Sequence, residues 1–180
     1  MIATATATAS GYTAIAVQGF PADAVIHGLT AVLEEPPDVV ISGVNAGQNL
    51  GPVVDLSGTV GAARAAAQRG IPALAVSAGL GEPVDYTPAT AEAIQWLRDH
   101  RAAFITSDAA PTYVDNLNAP TCPSGDVRGL VTVASDTTAP LEDALAVPDC
   151  TSTSPAPAGD VDAFLLGFAT LTQVPLQPAS

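Results

Sequence analysis

Lysine is absent from this 180-residue chain, and its basic charge rests on Arg64, Arg69, Arg98, Arg101 and Arg128 alone. Without lysine there is no GxxxxGKS/T phosphate loop, since that motif needs its lysine to reach the terminal phosphates. Against five basic residues stand 18 acids, a formal net charge of −13. A surface of that sign repels polynucleotide backbones and disfavours a nucleic-acid polymer as partner. A small anionic substrate stays feasible where a metal or a helix terminus neutralises it locally. No apolar run approaches a membrane span, so no membrane partner is expected. Met1 to Gln18 lacks the basic start and long apolar stretch of a signal peptide. There is no GxSxG elbow, and neither His27 nor His100 lies beside a nucleophile motif, which makes a serine hydrolase a poor reading. Gly43-Val44-Asn45-Ala46-Gly47 is not a GxGxxG dinucleotide fingerprint.

Cysteine is scarce too. Cys122 and Cys150 are the only two, and their spacing fits no zinc motif. They bracket a segment rich in Pro, Ser, Thr and Asp that has little core of its own. A disulfide closing that loop would stabilise the fold by roughly 3–4 kcal/mol and would imply an oxidising, extracytoplasmic compartment. The alternative is two unrelated buried thiols.

What the chain has is apolar mass: 48% hydrophobic and only 13% charged residues, the balance of a buried sheet rather than of disorder. Its length suits one domain, residues 1–180. Tyr12 to Gln18 reads as a short strand, and the Ala-Thr alternation of Ile2 to Ala9 as a fraying terminus. Pro21 suits the first position of a helix running from Ala22 to Leu33, before Pro36-Pro37. Val39 to Ser42 reads as a central parallel strand. A helix from Gly58 to Arg69, stopped by Gly70, and a strand from Ala73 to Ser77 complete a βαβ unit. A further helix opens at Thr87-Pro88 and runs to about His100. Strands follow at Tyr113 to Ala119 and Arg128 to Ala134. Residues 135–159 form a polar, Pro-rich loop within the domain. Val161 to Leu166 suits a short helix or the start of a strand, and Ala169 to Val174 a terminal strand. Alternating β and α elements predict a parallel three-layer α/β core.

Function concentrates in Asp38 to Ser77. The apolar run Val39-Val40-Ile41 ends in Ser42-Gly43, and the loop beyond offers Asn45, Gln48, Asn49, Asp55, Ser57 and Thr59. Open α/β sheets place their ligands at the carboxyl ends of strands. The Ser57-Gly58-Thr59 helix start, with free amides and two hydroxyls, suits an anion such as phosphate. Ser57 also suits an ordinary N-cap, and both roles can hold together.

SGVNAGQNLG, then SGTVGAARAA, then GIPALAVS resemble in order and spacing the SurE family of metal-dependent phosphatases, the 5′/3′-nucleotidases. Gly19-Phe20-Pro21-Ala22-Asp23-Ala24-Val25 looks like that family's GTPxDCV segment, and Asn116-Leu117-Asn118-Ala119-Pro120 like its NxNxP strand. Gly167 to Thr172 is a weaker echo of its terminal strand. The resemblance implies a Rossmann-like core, an extended C-terminal β hairpin exchanged between subunits of a homodimer or homotetramer, and a cytoplasmic setting by default. It implies that Asn45 is a metal ligand for Mg²⁺ or Mn²⁺, while Asn49, Ser57, Gly58 and Thr59 bind the substrate phosphate. The implied substrate is a nucleoside 5′- or 3′-monophosphate.

One departure is large. The family's first strand carries an Asn-Asp-Asp-Gly motif whose aspartates hold the metal, and a later loop adds a serine. Nothing in Met1 to Gln18 resembles either, so the chain reads as the family's domain without its first strand, first helix and catalytic carboxylates. A sheet lacking that strand is expected to show an unpaired edge or a gap beside the site. Asp55 reads as a solvated loop acid, and Asp23 as a helix-start acid. A non-catalytic fragment or pseudoenzyme retaining the phosphate-binding loop is the competing expectation.

Overall fold

The structure is a computed structural model that describes residues 2–106 and 109–177. Its main sheet has five strands in the order β3-β4-β5-β7-β6, formed by Val40–Ala46 (β3), Ala73–Ala78 (β4), Tyr113–Ala119 (β5), Leu130–Thr132 (β6) and Ala169–Pro175 (β7). β3, β4 and β5 run parallel, β7 returns antiparallel to β5, and β6 lies parallel to β7. Helices cover both faces. α1 (Pro21–His27, continued by a wider turn over Gly28–Val32) and α2 (Gly58–Ala67) lie on one face. α3 (Thr87–Thr106) lies on the other.

β4 shows why these residues make this arrangement. All six of its residues are buried, as expected of an apolar strand covered on both faces. Successive side chains alternate between faces. Ala73 and Ala75 pack with Val60, Ala63, Ala66 and Ala67 of α2. Leu74, Val76 and Ala78 pack with Ala89, Ala93 and Trp96 of α3. The alanines of α2 cost no side-chain entropy in a helix and let it approach the sheet closely. The three-layer α/β core is therefore as expected.

Several local expectations change. β3 is an edge strand rather than a central one, and Ile41 is 40% exposed there. The Ala-Thr stretch is not frayed. Ile2–Ala7 forms β1, paired antiparallel with β2 (Thr13–Gln18) across a turn containing Ser10-Gly11. β-branched Thr at every second position favours that pairing over a helix or coil.

Among the described residues, the two-stranded ribbon is this N-terminal one, not a C-terminal hairpin. The last strand, β7, sits inside the main sheet, because Ala169, Thr170, Thr172 and Val174 are buried between β5 and β6. α3 continues past His100 to Thr106, since Trp96, His100 and Phe104 recur every four residues and stack on one another. Asp160–Leu165 is a helix, α5. The Pro-rich loop contains one helical turn, α4 (Leu141–Ala144), and is joined to the end of β5 by a Cys122–Cys150 disulfide.

Candidate functional site

The residues between β3 and α2 occupy the carboxyl end of the parallel strands, where the βαβ connection must pass. β3 pairs regularly with β4 through Ser42, then gains one extra residue before Asn45 meets Ser77. Such a bulge bends the strand and re-aims the side chain that follows. Glycine is required there: Gly43 has φ +135°, and a Cβ on it would lie 2.3 Å from the Val76 carbonyl oxygen. Asn45 emerges from this bulge half-buried, with its Nδ2 donating to the Gly47 carbonyl at 2.7 Å. The nitrogen is thereby occupied, and Oδ1 is the end of the amide left to meet a ligand.

The next residues turn inward. Gln48 is 3% exposed, its Nε2 donating to the Ala146 carbonyl and its Oε1 accepting from the Leu80 amide. Asn49 sits at the centre of a buried polar network. Its backbone N–H donates to Asn118 Oδ1 at 2.7 Å, and its side-chain Nδ2 to Ser77 Oγ at 2.7 Å. Its carbonyl accepts from Asn116 Nδ2 at 2.9 Å and Asn118 Nδ2 at 3.2 Å. Asn49 thus fixes the loop to β4 and β5. The NxNxP stretch thereby has a physical role, because its two asparagines hold the loop backbone.

Asp160 does the same from the other side and was not legible in the sequence. It is fully buried. Oδ2 accepts from the Gly51 amide at 3.0 Å, and Oδ1 from the Asp136 and Val161 amides at 2.8 and 2.9 Å. An acid opening a short helix signals local capping, but its partner Gly51 is 109 residues away.

Asp55, expected to be a solvated loop acid, is instead ion-paired to the buried Arg64 of α2 at 2.7 Å. Arg64 Nε also donates to the Pro175 carbonyl, so the pair clamps the loop and the last strand onto α2.

Ser57 caps α2, its Oγ accepting from the Val60 amide at 3.1 Å. The amides of Gly58 and Thr59 fall in the first turn, where a helix supplies no acceptors of its own, so they point to whatever lies beyond the end. Gly58 is exposed, and a Cβ added to it would lie 3.0 Å from Pro21 Cγ. The starts of α1 and α2 therefore abut, bringing the GFPAD segment beside the SGT turn. Asp23 accepts from the Phe20 amide at 2.8 Å and so closes the start of α1, as expected of it. Phe20 and Leu56 are 81% and 80% exposed on either side of this junction.

The donor set suits one corner of a hard-ion site and no more. Asn45 Oδ1 is a neutral oxygen donor of the kind Mg²⁺ and Mn²⁺ accept. Among the described residues no group of three His, Cys, Asp or Glu could hold a metal ion. One amide oxygen without carboxylates leaves such an ion essentially hydrated, so these residues do not by themselves fit the metal.

Comparison with known proteins rests on the same segments. The profile of the family described as "Survival protein SurE" matches residues 2–140. This chain belongs to the SurE family. A protein named 5′-nucleotidase SurE from Nitratidesulfovibrio vulgaris is 43% identical over 122 residues, 67% of this chain and 44% of that protein. One of the same name from Halorhodospira halophila is 44% identical over 115 residues, 63% of this chain and 44% of that protein. In both comparisons the SurE-family chain described here matches less than half the length of the curated relative. The crystal structure of the SurE protein from Aquifex aeolicus superposes with a TM-score of 0.72 at 20% identity, covering 100% of this chain and 76% of that one. The likeness establishes the fold.

Proposed function

We propose that this chain carries the phosphate-gripping part of a phosphomonoesterase site acting on nucleoside 5′- or 3′-monophosphates, which would yield nucleoside and phosphate. The observation that carries it is that two elements lie on the carboxyl side of β3: the bulge from which Asn45 emerges, and the first turn of α2, whose amides have no acceptors within the helix. The Gly58 and Thr59 amides and the Ser57 and Thr59 hydroxyls would donate to the non-bridging phosphate oxygens, stabilising charge that builds up in the transition state. Asn49, bonded into the core, would serve the phosphate by holding that loop in place. Phe20 and Leu56 would flank the phosphate with apolar surface for the nucleoside. Asn45 Oδ1 would be one ligand of Mg²⁺ or Mn²⁺, whose other ligands the described residues do not supply.

A second reading is a non-catalytic phosphate-binding module, favoured because among the described residues no group of three His, Cys, Asp or Glu could hold a metal ion. One experiment separates the two. Phosphate release from a nucleoside monophosphate is measured with Mn²⁺ or Mg²⁺, then with chelator, beside Asn45→Ala and Thr59→Ala. Metal-dependent turnover lost in Asn45→Ala supports the enzyme. Phosphate binding weakened by Thr59→Ala without turnover supports the module. Neither turnover nor binding sinks both.

Two wider readings belong to the same proposal. The disulfide suits an oxidising compartment rather than the cytoplasm. For a homodimer or homotetramer, the exposed β1–β2 ribbon is the arm the structure offers, since an isolated two-stranded ribbon has little stability alone.

A further inference from the structure

At the amino ends of β4 and β5, the opposite pole from the loop, lies a cavity of about 260 Å³. Trp96, His100 and Phe104 of α3 line it together with Tyr113 and Asp115 of β5. The three rings form one wall: Trp96 and His100 stack at 4.7 Å between centroids, and Phe104 lies 5.2 Å from Trp96.

Asp115 is 7% exposed. It accepts from Trp96 Nε1 at 2.9 Å and has Gln173 opposite it across the β5–β7 ladder. Burial pushes its carboxyl above the ordinary range, while the Trp96 hydrogen bond and the nearby His100 work against that rise. The one salt bridge among the described residues, Arg64 with Asp55, is elsewhere. A buried carboxylate in a cavity wall thus has hydrogen bonds but no arginine. His100 Nδ1 donates to the Trp96 carbonyl at 2.8 Å, so in the neutral ring Nε2 is the acceptor.

We propose that this cavity binds a small organic cation, a primary ammonium on a flat apolar body. Its charge would meet the Asp115 carboxylate, and its body the faces of Trp96 and Phe104. A pocket that sets a buried carboxylate beside π faces, with no arginine or lysine in its lining, has the chemistry that recognises a desolvated ammonium, since tryptophan is the strongest cation–π partner and a buried charge needs a counter-charge. The cavity is below the usual range for drug-sized ligands, which restricts the occupant to about one ring.

Trp96 is the chain's single tryptophan, so its fluorescence reports this pocket alone. At pH 7 the protein is titrated with benzylammonium and, separately, with its uncharged isostere benzyl alcohol. The titration is repeated on Asp115→Asn. The expected result is a saturable change with benzylammonium, at least tenfold weaker binding of the alcohol, and at least tenfold loss of ammonium affinity in the variant. No saturable change, or equal affinity for alcohol and ammonium, overturns the proposal. So does unchanged affinity in a folded Asp115→Asn. If that variant fails to fold, the comparison of the two probes on the unaltered chain still decides.

Discussion

Replacing Asn118 by leucine tests whether the site loop is held from inside the core. Asn118 is fully buried on β5, accepts from the Asn49 amide at 2.7 Å and donates to the Asn49 carbonyl at 3.2 Å. Leucine keeps the branched shape of asparagine but is the larger side chain, so no cavity forms and any packing strain adds to the cost. The Asn49 N–H loses its partner away from water, which costs about 1–3 kcal/mol. The Asn49 carbonyl keeps Asn116 Nδ2 at 2.9 Å, so that half of the loss is no more than about 1 kcal/mol. Burying leucine in place of an amide returns on the order of 1 kcal/mol. The net expectation is a destabilisation of about 1–3 kcal/mol, a large share of a domain's roughly 5–15 kcal/mol.

Urea unfolding followed by circular dichroism reads this as a lower midpoint at unchanged slope. Ser77→Ala removes the acceptor of Asn49 Nδ2 from the adjoining strand. Because both residues act on Asn49, the double variant should be non-additive by about 0.5 kcal/mol or more. A cost below about 0.5 kcal/mol for Asn118→Leu, or strict additivity with Ser77→Ala, would refute the claim that this network fixes the loop.

Other perturbations give independent checks. The paired change Cys122→Ser with Cys150→Ser opens a link of sequence separation 28 and should cost roughly 3–4 kcal/mol in reversible unfolding, with loss of the midpoint's sensitivity to reductant. Gly51→Ala should cost more than the roughly 1–2 kcal/mol of left-handed strain alone, because its Cβ would lie 2.5 Å from the Asp136 carbonyl oxygen; an equal or higher melting temperature would contradict this.

Asp115 has a folded-state pKa raised above the ordinary 3.8, so the native state holds the proton longer than the unfolded chain does. Stability should therefore fall as pH rises from about that value through the folded pKa, and Asp115→Asn should remove this decline from the pH–stability curve. Asp136 and Asp149 work in the opposite sense. Hydrogen bonds from Thr138 and Thr151 hold their carboxyls below the ordinary range, so their contribution is present above it and fades as pH falls.

Periodicity and short motifs were enough for the local parts of this protein. A short, largely apolar run between glycine-bearing turns is too short for a buried helix and suits a doubly covered strand, so β4 and its βαβ unit were legible, as was the α2 cap at Ser57, whose partner is three residues away. The two cysteines bracketing a segment without a core already suggested their pairing. Tertiary structure decided the rest because it joins residues far apart in sequence. That Asn49 is bonded to β5 could not be read from its segment, since a polar side chain in a loop reads the same whether it faces water or a buried partner 69 residues on. Asp55 looked solvated until α2 brought Arg64 to it, and Asp160 had no visible partner until Gly51 arrived. Nor does strand order follow from alternation: β3 reads as an interior strand, and only the assembled sheet puts it at the edge. Local hydrogen bonding and burial period are properties of a segment, whereas the satisfaction of each buried polar group depends on which segments meet.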